Sequence, residues 1–180
     1  MLLLANKDFR EFVELLNSNG VKYLIVGGHA VAVHGYPRFT GDLDVWIAAD
    51  PENAVRMARV LADFGFASVK FSAKDFARPG YAIQLGRPPY RIDILTSIDA
   101  LAFSRAYRHR RVVRAGALAI PFIGLEDLLT NKRATGRAQD LADVERLRSA
   151  DKRLSVKTRP ARRQRAARPP RPISKSARPR

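Results

Sequence analysis

The chain has 180 residues, a formal net charge of +16 and no cysteine, which excludes disulfide bonds and thiolate chemistry. The apolar start at residues 1–4 is too short for a signal-peptide core, and no apolar run approaches the ~20 residues that span a bilayer. We therefore expect a cytoplasmic protein without a membrane partner.

The positive charge is concentrated at the C-terminal end. Residues 151–180 hold 12 of the 33 Lys and Arg residues but one of the 17 acidic residues, and they contain few aliphatic side chains. Such a segment buries too little apolar surface to offset the entropy lost on ordering. We predict one folded domain over residues 1–150 and a disordered Arg/Pro-rich tail over 151–180, which either binds nucleic acid or is a passive solvated extension.

The first third of the chain predicts alternating helices and strands. Apolar residues recur at helical spacing after Asn6, at Phe9, Phe12, Val13 and Leu16. A buried strand is predicted over 21–26, Gly27-Gly28 should end it, and a short helix should begin at Ala30. A second strand is predicted over 43–48. Asp50 followed by Pro51 is typical of a helix start, and that helix should run to about residue 63.

The rest of the chain predicts more strands and two closing helices. Strands are expected over 67–71, 81–85 and 90–95, followed by a hairpin of 111–114 with 118–122 around Ala115-Gly116. The closing helices are expected over 125–135 and 138–149. These elements predict an α/β (α+β) fold in which helices flank a small mixed β-sheet.

Three aspartates in predicted strands are the candidate metal ligands of the chain. Residues two apart in a strand point to the same face, so Asp42 and Asp44 should project together. Two neighbouring carboxylates repel each other, and a divalent cation such as Mg²⁺ relieves that repulsion. Asp93 lies among apolar residues in a later strand, where a carboxylate is costly unless it is paired or metal-bound.

Other interpretations of the Asp pair start from different chemistry. The pair could simply end a strand and be capped by loop amides. A metal-dependent glycosyltransferase also uses Asp-x-Asp, but it leaves Gly27-Gly28 unexplained. A phosphatase of the haloacid dehalogenase type requires Thr at the position that Trp46 occupies, and we reject both of these enzyme classes.

An apolar strand, Gly27-Gly28, a short helix, Asp42-Leu43-Asp44 and a later strand with Asp93 together resemble the polymerase-β-like nucleotidyltransferase superfamily. The resemblance covers about residues 8–148. Further segments are similar to small single-domain members grouped with abortive-infection toxins of the AbiEii/AbiGii type, namely 27–30, 38–44 and 124–129 followed by Lys132.

The resemblance implies a role for each matching residue. Gly27 and Gly28 would cradle the triphosphate, and Lys132 would stabilise phosphate charge. Asp42 and Asp44 would hold one Mg²⁺, and with Asp93 they would hold a second, with Mn²⁺ as the alternative metal. Asp93 is also the candidate general base.

Some neighbouring residues have two interpretations. Arg38 is a candidate phosphate contact or a surface arginine, and Thr40 is a candidate nucleotide contact that also orders the loop before the aspartates. His29 is a secondary candidate for a phosphate or nucleotide contact. Asp140 and Asp143 are predicted to pair with nearby basic residues such as Lys132, Arg137 and Arg146.

The resemblance also bears on the substrates. A nucleoside triphosphate would donate the nucleotide, and ATP, CTP, GTP and UTP are all open. The acceptor is predicted to be RNA, at a tRNA 3′ end, with a toxin role and an antitoxin protein as partner. A protein side chain, a small molecule of the aminoglycoside type, and an inactive RNA-binding module of the same fold remain the alternatives.

Overall fold

A computed structural model of the chain describes residues 2–69 and 71–157. These residues form seven α-helices and six β-strands, with a 3₁₀ turn at Leu2–Ala5 and a π-helical turn at Ala62–Phe66. The helices are α1 (Lys7–Ser18), α2 (Gly27–Val33), α3 (Pro51–Leu61), α4 (Ala73–Phe76), α5 (Phe103–Arg108), α6 (Leu125–Thr135) and α7 (Ala138–Lys157). The strands are β1 (Tyr23–Ile25), β2 (Asp42–Ile47), β3 (Ala82–Arg87), β4 (Tyr90–Leu95), β5 (Arg111–Ala115) and β6 (Leu118–Phe122).

The six strands form one mixed sheet in the order β3-β4-β2-β1-β6-β5. Strand β2 runs parallel to β4, and β1 runs parallel to β6, whereas the remaining neighbours are antiparallel. Helices pack around this sheet, so the predicted α/β class with a small mixed sheet is confirmed. The β5–β6 hairpin is also confirmed.

The first and third helices begin where their capping residues predict. The Asn6 side chain caps α1 by accepting a hydrogen bond from the amide of Phe9, and the four apolar residues of the stripe are buried. Asp50 caps α3 in the same way, with Pro51 in the first turn. Helix α1 therefore buries the face that the periodicity indicates, and α3 begins at its predicted cap.

The predicted strand over 67–71 is wrong. Its described residues form a turn, and Val69 is exposed. Phe71 lies 6.4 Å from Phe66 and 6.3 Å from Phe76 between ring centroids. The apolar residues that suggested a strand instead pack as an aromatic cluster beside α4, a helix that the sequence did not predict.

Several element ends differ from the predictions. Helix α2 begins at Gly27, because the left-handed backbone of this glycine (φ 59°) turns the chain directly from β1 into the helix. Strand β3 is displaced toward the chain end, to Ala82–Arg87, and α5 was not predicted. Helix α7 continues to Lys157, past the predicted end at 149.

Most of the predicted basic tail, residues 158–180, lies outside the described residues, and the predicted division at residue 150 stays a prediction. Within the described part of the chain, no helix combines the length and the apolar character needed to cross a membrane.

Candidate active site

The three predicted metal ligands lie together on neighbouring strands. Asp42 and Asp44 share one face of β2, and Leu43 between them is fully buried on the other. Strand β4 places Asp93 directly opposite Asp44, and Arg91 opposite Asp42. The fold therefore gathers Asp42, Asp44 and Asp93, which we call the carboxylate cluster, into one patch of the sheet.

Arg91 supplies positive charge to this cluster and was not among the residues predicted for the site. Its Nε donates to Asp93 Oδ1 at 2.6 Å, and its Nη2 donates to Asp93 Oδ2 at 2.9 Å and to Asp42 Oδ2 at 3.0 Å. The hydrogen bond to Asp93 is the main cause that raises the pKa of Arg91 above its ordinary value. Because Arg91 lies two residues before Asp93, strand alternation could have placed it on this face.

The surroundings of Asp44 disfavour the charged form of its carboxyl group. Burial is the largest cause that raises the pKa of its carboxyl group to about 6, and the negative charges of Asp93 and Asp42 raise it further. The positive charges of Lys132 and Arg137 act in the opposite direction. Arg91 makes no hydrogen bond to Asp44 in the described structure, so this carboxylate would gain most from an added cation.

The two glycines before the cluster are required by packing. A Cβ at Gly27 would lie 1.9 Å from Asp44 Oδ2, and a Cβ at Gly28 would lie 2.7 Å from the Thr40 hydroxyl oxygen. Thr40 in turn donates a hydrogen bond to the carbonyl of Asp42 at 3.3 Å. Thr40 therefore orders the loop before β2 as predicted, and its contact with Gly28 accounts for glycine there without any phosphate.

Lys132 belongs to a buried network of ion pairs. Its Nζ donates to Asp140 at 2.7 Å and lies 2.9 Å from Asp143, both on α7. Arg38 donates to both carboxylate oxygens of Asp143, each at 3.1 Å, and Arg137 donates to Asp140 at 2.6 Å. This confirms the predicted pairing of the α7 acids with Lys132 and Arg137.

The network fixes the charge state of its two acids. Burial alone would raise the pKa values of Asp140 and Asp143, but hydrogen bonds from their basic partners outweigh burial and lower both. Because Arg38 precedes β2 while Lys132 lies on α6, the ion pairs tie the loop before the cluster to the two C-terminal helices. The positive charges of Arg38 and Lys132 are thus already compensated by protein carboxylates.

A cavity of about 240 Å³, here called the polar cleft, opens between the cluster and helices α6 and α7. Gly27 and Asp44 line one side, and Lys132 and Arg137 line the other. Arg137 has a side chain that is 76% exposed, so it can turn toward a ligand more easily than buried Lys132 can. It is a further candidate for a phosphate contact that was not predicted from the sequence.

The oxygen ligands that the carboxylate cluster offers are chemically suited to bind a divalent cation. All three groups are carboxylates, and the raised pKa of Asp44 shows that a positive charge is favoured beside it. No three acidic, His or Cys side chains of the described residues are arranged around a common point for a metal ion. The oxygens of Asp42 and Asp93 are hydrogen-bonded to Arg91 instead, so a cation and Arg91 would compete for them.

Comparison with known proteins identifies a family for the chain. Residues 7–152 match the model of a family described as "Nucleotidyltransferase of unknown function (DUF6036)". No curated protein matches the chain. A similar solved structure comes from Thermotoga maritima and is provisionally assigned as a nucleotidyltransferase; it is 19% identical, with a TM-score of 0.48 over 82% of this chain and 90% of that chain. Membership of the AbiEii/AbiGii-type subgroup stays a prediction.

The contact between Gly27 and Asp44 gives a first testable prediction. Gly27 and Gly116 have nearly the same left-handed backbone, with φ of 59° and 62°, but no atom lies within 4 Å of a Cβ built at Gly116. We expect Gly116→Ala to lower the free energy of unfolding by about 1–2 kcal/mol, the cost of that backbone for a residue with a side chain. Gly27→Ala should lower it by clearly more, because Asp44 must also move.

Urea unfolding of the two variants tests this expectation. The double variant Gly27→Ala with Asp44→Ala should recover part of the additional loss, since the clashing carboxylate is gone. Equal losses for Gly27→Ala and Gly116→Ala would show that Asp44 does not constrain residue 27.

The raised pKa of Asp44 gives a second prediction. Between about pH 4 and pH 6 the folded protein retains a proton on Asp44 that the unfolded chain has lost, so this group's contribution to stability is complete below about pH 4 and is lost as the pH rises through about 6. Asp44→Asn removes this dependence. In EDTA, the stability of Asp44→Asn relative to wild type should therefore increase from about pH 4 to pH 7.

Urea unfolding across this pH range measures the difference, with Asp63→Asn, an exposed aspartate outside the cluster, as the matched control. The control should track the wild type at every pH. A constant difference between Asp44→Asn and wild type over the whole range would contradict the raised pKa.

Proposed function

The chain belongs to this family of nucleotidyltransferases, and on that premise we propose that it transfers a nucleoside monophosphate from a nucleoside triphosphate to a hydroxyl group of RNA, with the 3′ end of a tRNA as acceptor. One observation carries the proposal: parallel pairing of β2 and β4 sets Asp44 opposite Asp93 with Asp42 beside them. Clustered carboxylates beside a glycine turn are what a nucleotide-transfer site requires.

The proposed reaction is an in-line displacement at the α-phosphorus. The acceptor oxygen forms a bond to the α-phosphorus, the bond from that phosphorus to the bridging oxygen of the β-phosphate breaks, and pyrophosphate leaves. Asp93 accepts the proton of the acceptor hydroxyl. Both oxygens of Asp93 accept hydrogen bonds from Arg91, and each keeps a second lone pair that can accept the proton.

Asp42, Asp44 and Asp93 would hold the divalent cations, proposed as two Mg²⁺ ions with Mn²⁺ as the alternative. When bound, the cations would supply positive charge to the triphosphate oxygens and lower the pKa of the acceptor hydroxyl. The chain's own contribution is to hold the three carboxylates in register. Gly27 keeps its side of the site open, because any side chain there would displace Asp44.

The polar cleft is the proposed site of the triphosphate. Gly27, Gly28, Lys132 and Arg137 lie at or beside it. If exposed Arg137 turns toward a phosphate, its buried partner Asp140 keeps the hydrogen bond from Lys132. Lys132 would act on the phosphates through its position beside Asp44 while it stays bonded to α7. Arg38 and Thr40 would contribute mainly by fixing the loop before the cluster.

RNA is proposed as the acceptor because of charge. The net charge of +16 favours a polyanion, and the residues that resemble toxin-like members point to the same class of acceptor. The proposed toxin role, with an antitoxin as its protein partner, rests on that resemblance.

Incubation of the purified protein with Mg²⁺, each α-³²P-labelled nucleoside triphosphate in turn, and total cell lysate tests the proposal. Wild-type protein should transfer label to RNA of tRNA size. Asp93→Asn and Asp44→Asn should each reduce transfer by more than the roughly 10- to 100-fold typical of replacing a residue that only orients a metal ligand. Asp63→Asn is the matched control and should transfer label normally.

The other outcomes each correspond to a different function. Label in protein would identify a protein-modifying transferase, and label in a small molecule would identify an enzyme of the aminoglycoside-modifying type. No label with any triphosphate, together with RNA binding, would identify an inactive RNA-binding module and overturn the proposal.

A further inference from the structure

A second cavity lies on the other side of the carboxylate cluster. It has a volume of about 470 Å³ and opens between the start of α1, α2, the loop before β2 and the start of β4. We call it the α1 pocket, and its lining includes Lys7, Phe9, His29, Phe39, Thr40 and Tyr90. Thr40 precedes β2 and Tyr90 is the first residue of β4, whereas Asp44 and Leu95, which lie further along these strands, line the polar cleft. Because β2 and β4 run parallel, the α1 pocket lies toward the starts of the two strands and the polar cleft toward their ends.

Aromatic rings form much of this pocket. Phe9 is buried, and its ring stands nearly perpendicular to that of Tyr90, with centroids 6.2 Å apart. Tyr90 is 53% exposed and Phe39 is 81% exposed. Exposed aromatic side chains beside a cavity offer flat faces on which another ring can stack.

His29 is a buried polar group in the pocket that has no hydrogen-bond partner for its Nε2 among the described residues. The residue is 6% exposed, and its ring meets Phe9 edge-on at 5.9 Å. Burial, followed by the positive charge of Arg38, lowers the pKa of His29 to about 4. The ring is therefore neutral near pH 7 and offers one donor and one acceptor, which suits the edge of a heterocycle.

The charges around the pocket favour a neutral ring over a phosphate group. Lys7 and Asp8 both line the pocket and offset each other, and the guanidinium of Arg38 is already paired with Asp143. A phosphate group would meet little uncompensated positive charge there. A nucleobase, which combines a flat face with polar edges, matches the aromatic and imidazole groups together.

We propose that the α1 pocket binds the terminal nucleobase of the acceptor RNA, so that the two substrates approach the carboxylate cluster from opposite sides. This inference rests on the proposed nucleotidyl transfer to RNA. With the triphosphate in the polar cleft, an RNA whose base occupies the α1 pocket would approach the cluster past Thr40, which donates a hydrogen bond to the Asp42 carbonyl.

The test uses the full-length protein and a short, fluorescein-labelled single-stranded RNA that ends in a 3′-deoxynucleotide and so cannot be extended. A second RNA lacks only the terminal base. Fluorescence anisotropy should show that loss of the base weakens binding about tenfold, the scale of one base–aromatic stack. Because both RNAs carry the same phosphates, attraction to basic segments cancels in this comparison.

Tyr90→Leu should bind the intact RNA about tenfold more weakly and should no longer distinguish the two RNAs. Tyr81→Leu is the matched control, since Tyr81 is 50% exposed but lies outside the pocket, and it should behave as wild type. Phe39→Leu is a second variant of an exposed ring and should reduce the preference for the intact RNA.

The remaining outcomes overturn the inference. Equal binding of the two RNAs by the wild type would show that the α1 pocket does not bind the terminal base. Equal effects of the Tyr90 and Tyr81 variants would show the same. A loss of triphosphate affinity rather than RNA affinity in Tyr90→Leu would assign the pocket to the base of the donor nucleotide. The assay needs no turnover, so base-dependent binding without transfer would refute the proposed function alone, and transfer with base-independent binding would refute the pocket alone.

Discussion

The parallel pairing of β2 with β4 sets the carboxylates of Asp44 and Asp93 directly opposite each other, with Asp42 two residues away on the same face. Like charges opposed across a sheet are destabilising, so the surrounding structure must compensate them. Arg91 does so for Asp42 and Asp93 through three hydrogen bonds. Asp44 is left with the positive charges of Lys132 and Arg137, and its pKa stays raised at about 6. The protein therefore compensates the negative charge of the carboxylate cluster only in part.

The ion pairs around Lys132 explain how such a cluster keeps its shape. Asp143 and Asp140 connect α7 to Lys132 on α6, and Arg38 carries the connection to the loop before β2. Removing one partner from a buried network leaves another charge unpaired, which typically costs about 3–5 kcal/mol. Arg38 lines the α1 pocket, and Lys132 and Asp140 line the polar cleft, so the same ion-pair network supports a wall of both cavities.

Local sequence patterns predicted the features that depend on strand alternation and on helix capping. Strand alternation put Asp42 and Asp44 on one face, and capping residues located the starts of α1 and α3. The pairing of Asp44 with Asp93 is a matter of sheet register, which no local pattern specifies; the resemblance to a known superfamily implies only that Asp93 acts together with Asp42 and Asp44. Arg91 follows the same alternation as Asp93, but its role depends on Asp42 in another strand. The strand predicted over 67–71 failed because Phe71 packs against Phe66 and Phe76 instead of entering the sheet.

The central claim is that Arg91 and a divalent cation compete for the oxygens of Asp42 and Asp93. Titration of Mn²⁺ into the full-length protein without nucleotide, followed by electron paramagnetic resonance, tests it most directly. Arg91→Met should bind Mn²⁺ about fivefold or more tightly than the wild type, because the competing positive charge is gone. Arg87→Met, which removes an exposed arginine from the adjacent strand, should match the wild type, and Asp93→Asn should bind more weakly. Unchanged or weaker Mn²⁺ affinity in Arg91→Met would contradict the account, and unchanged affinity in Asp93→Asn would remove Asp93 from the cation site.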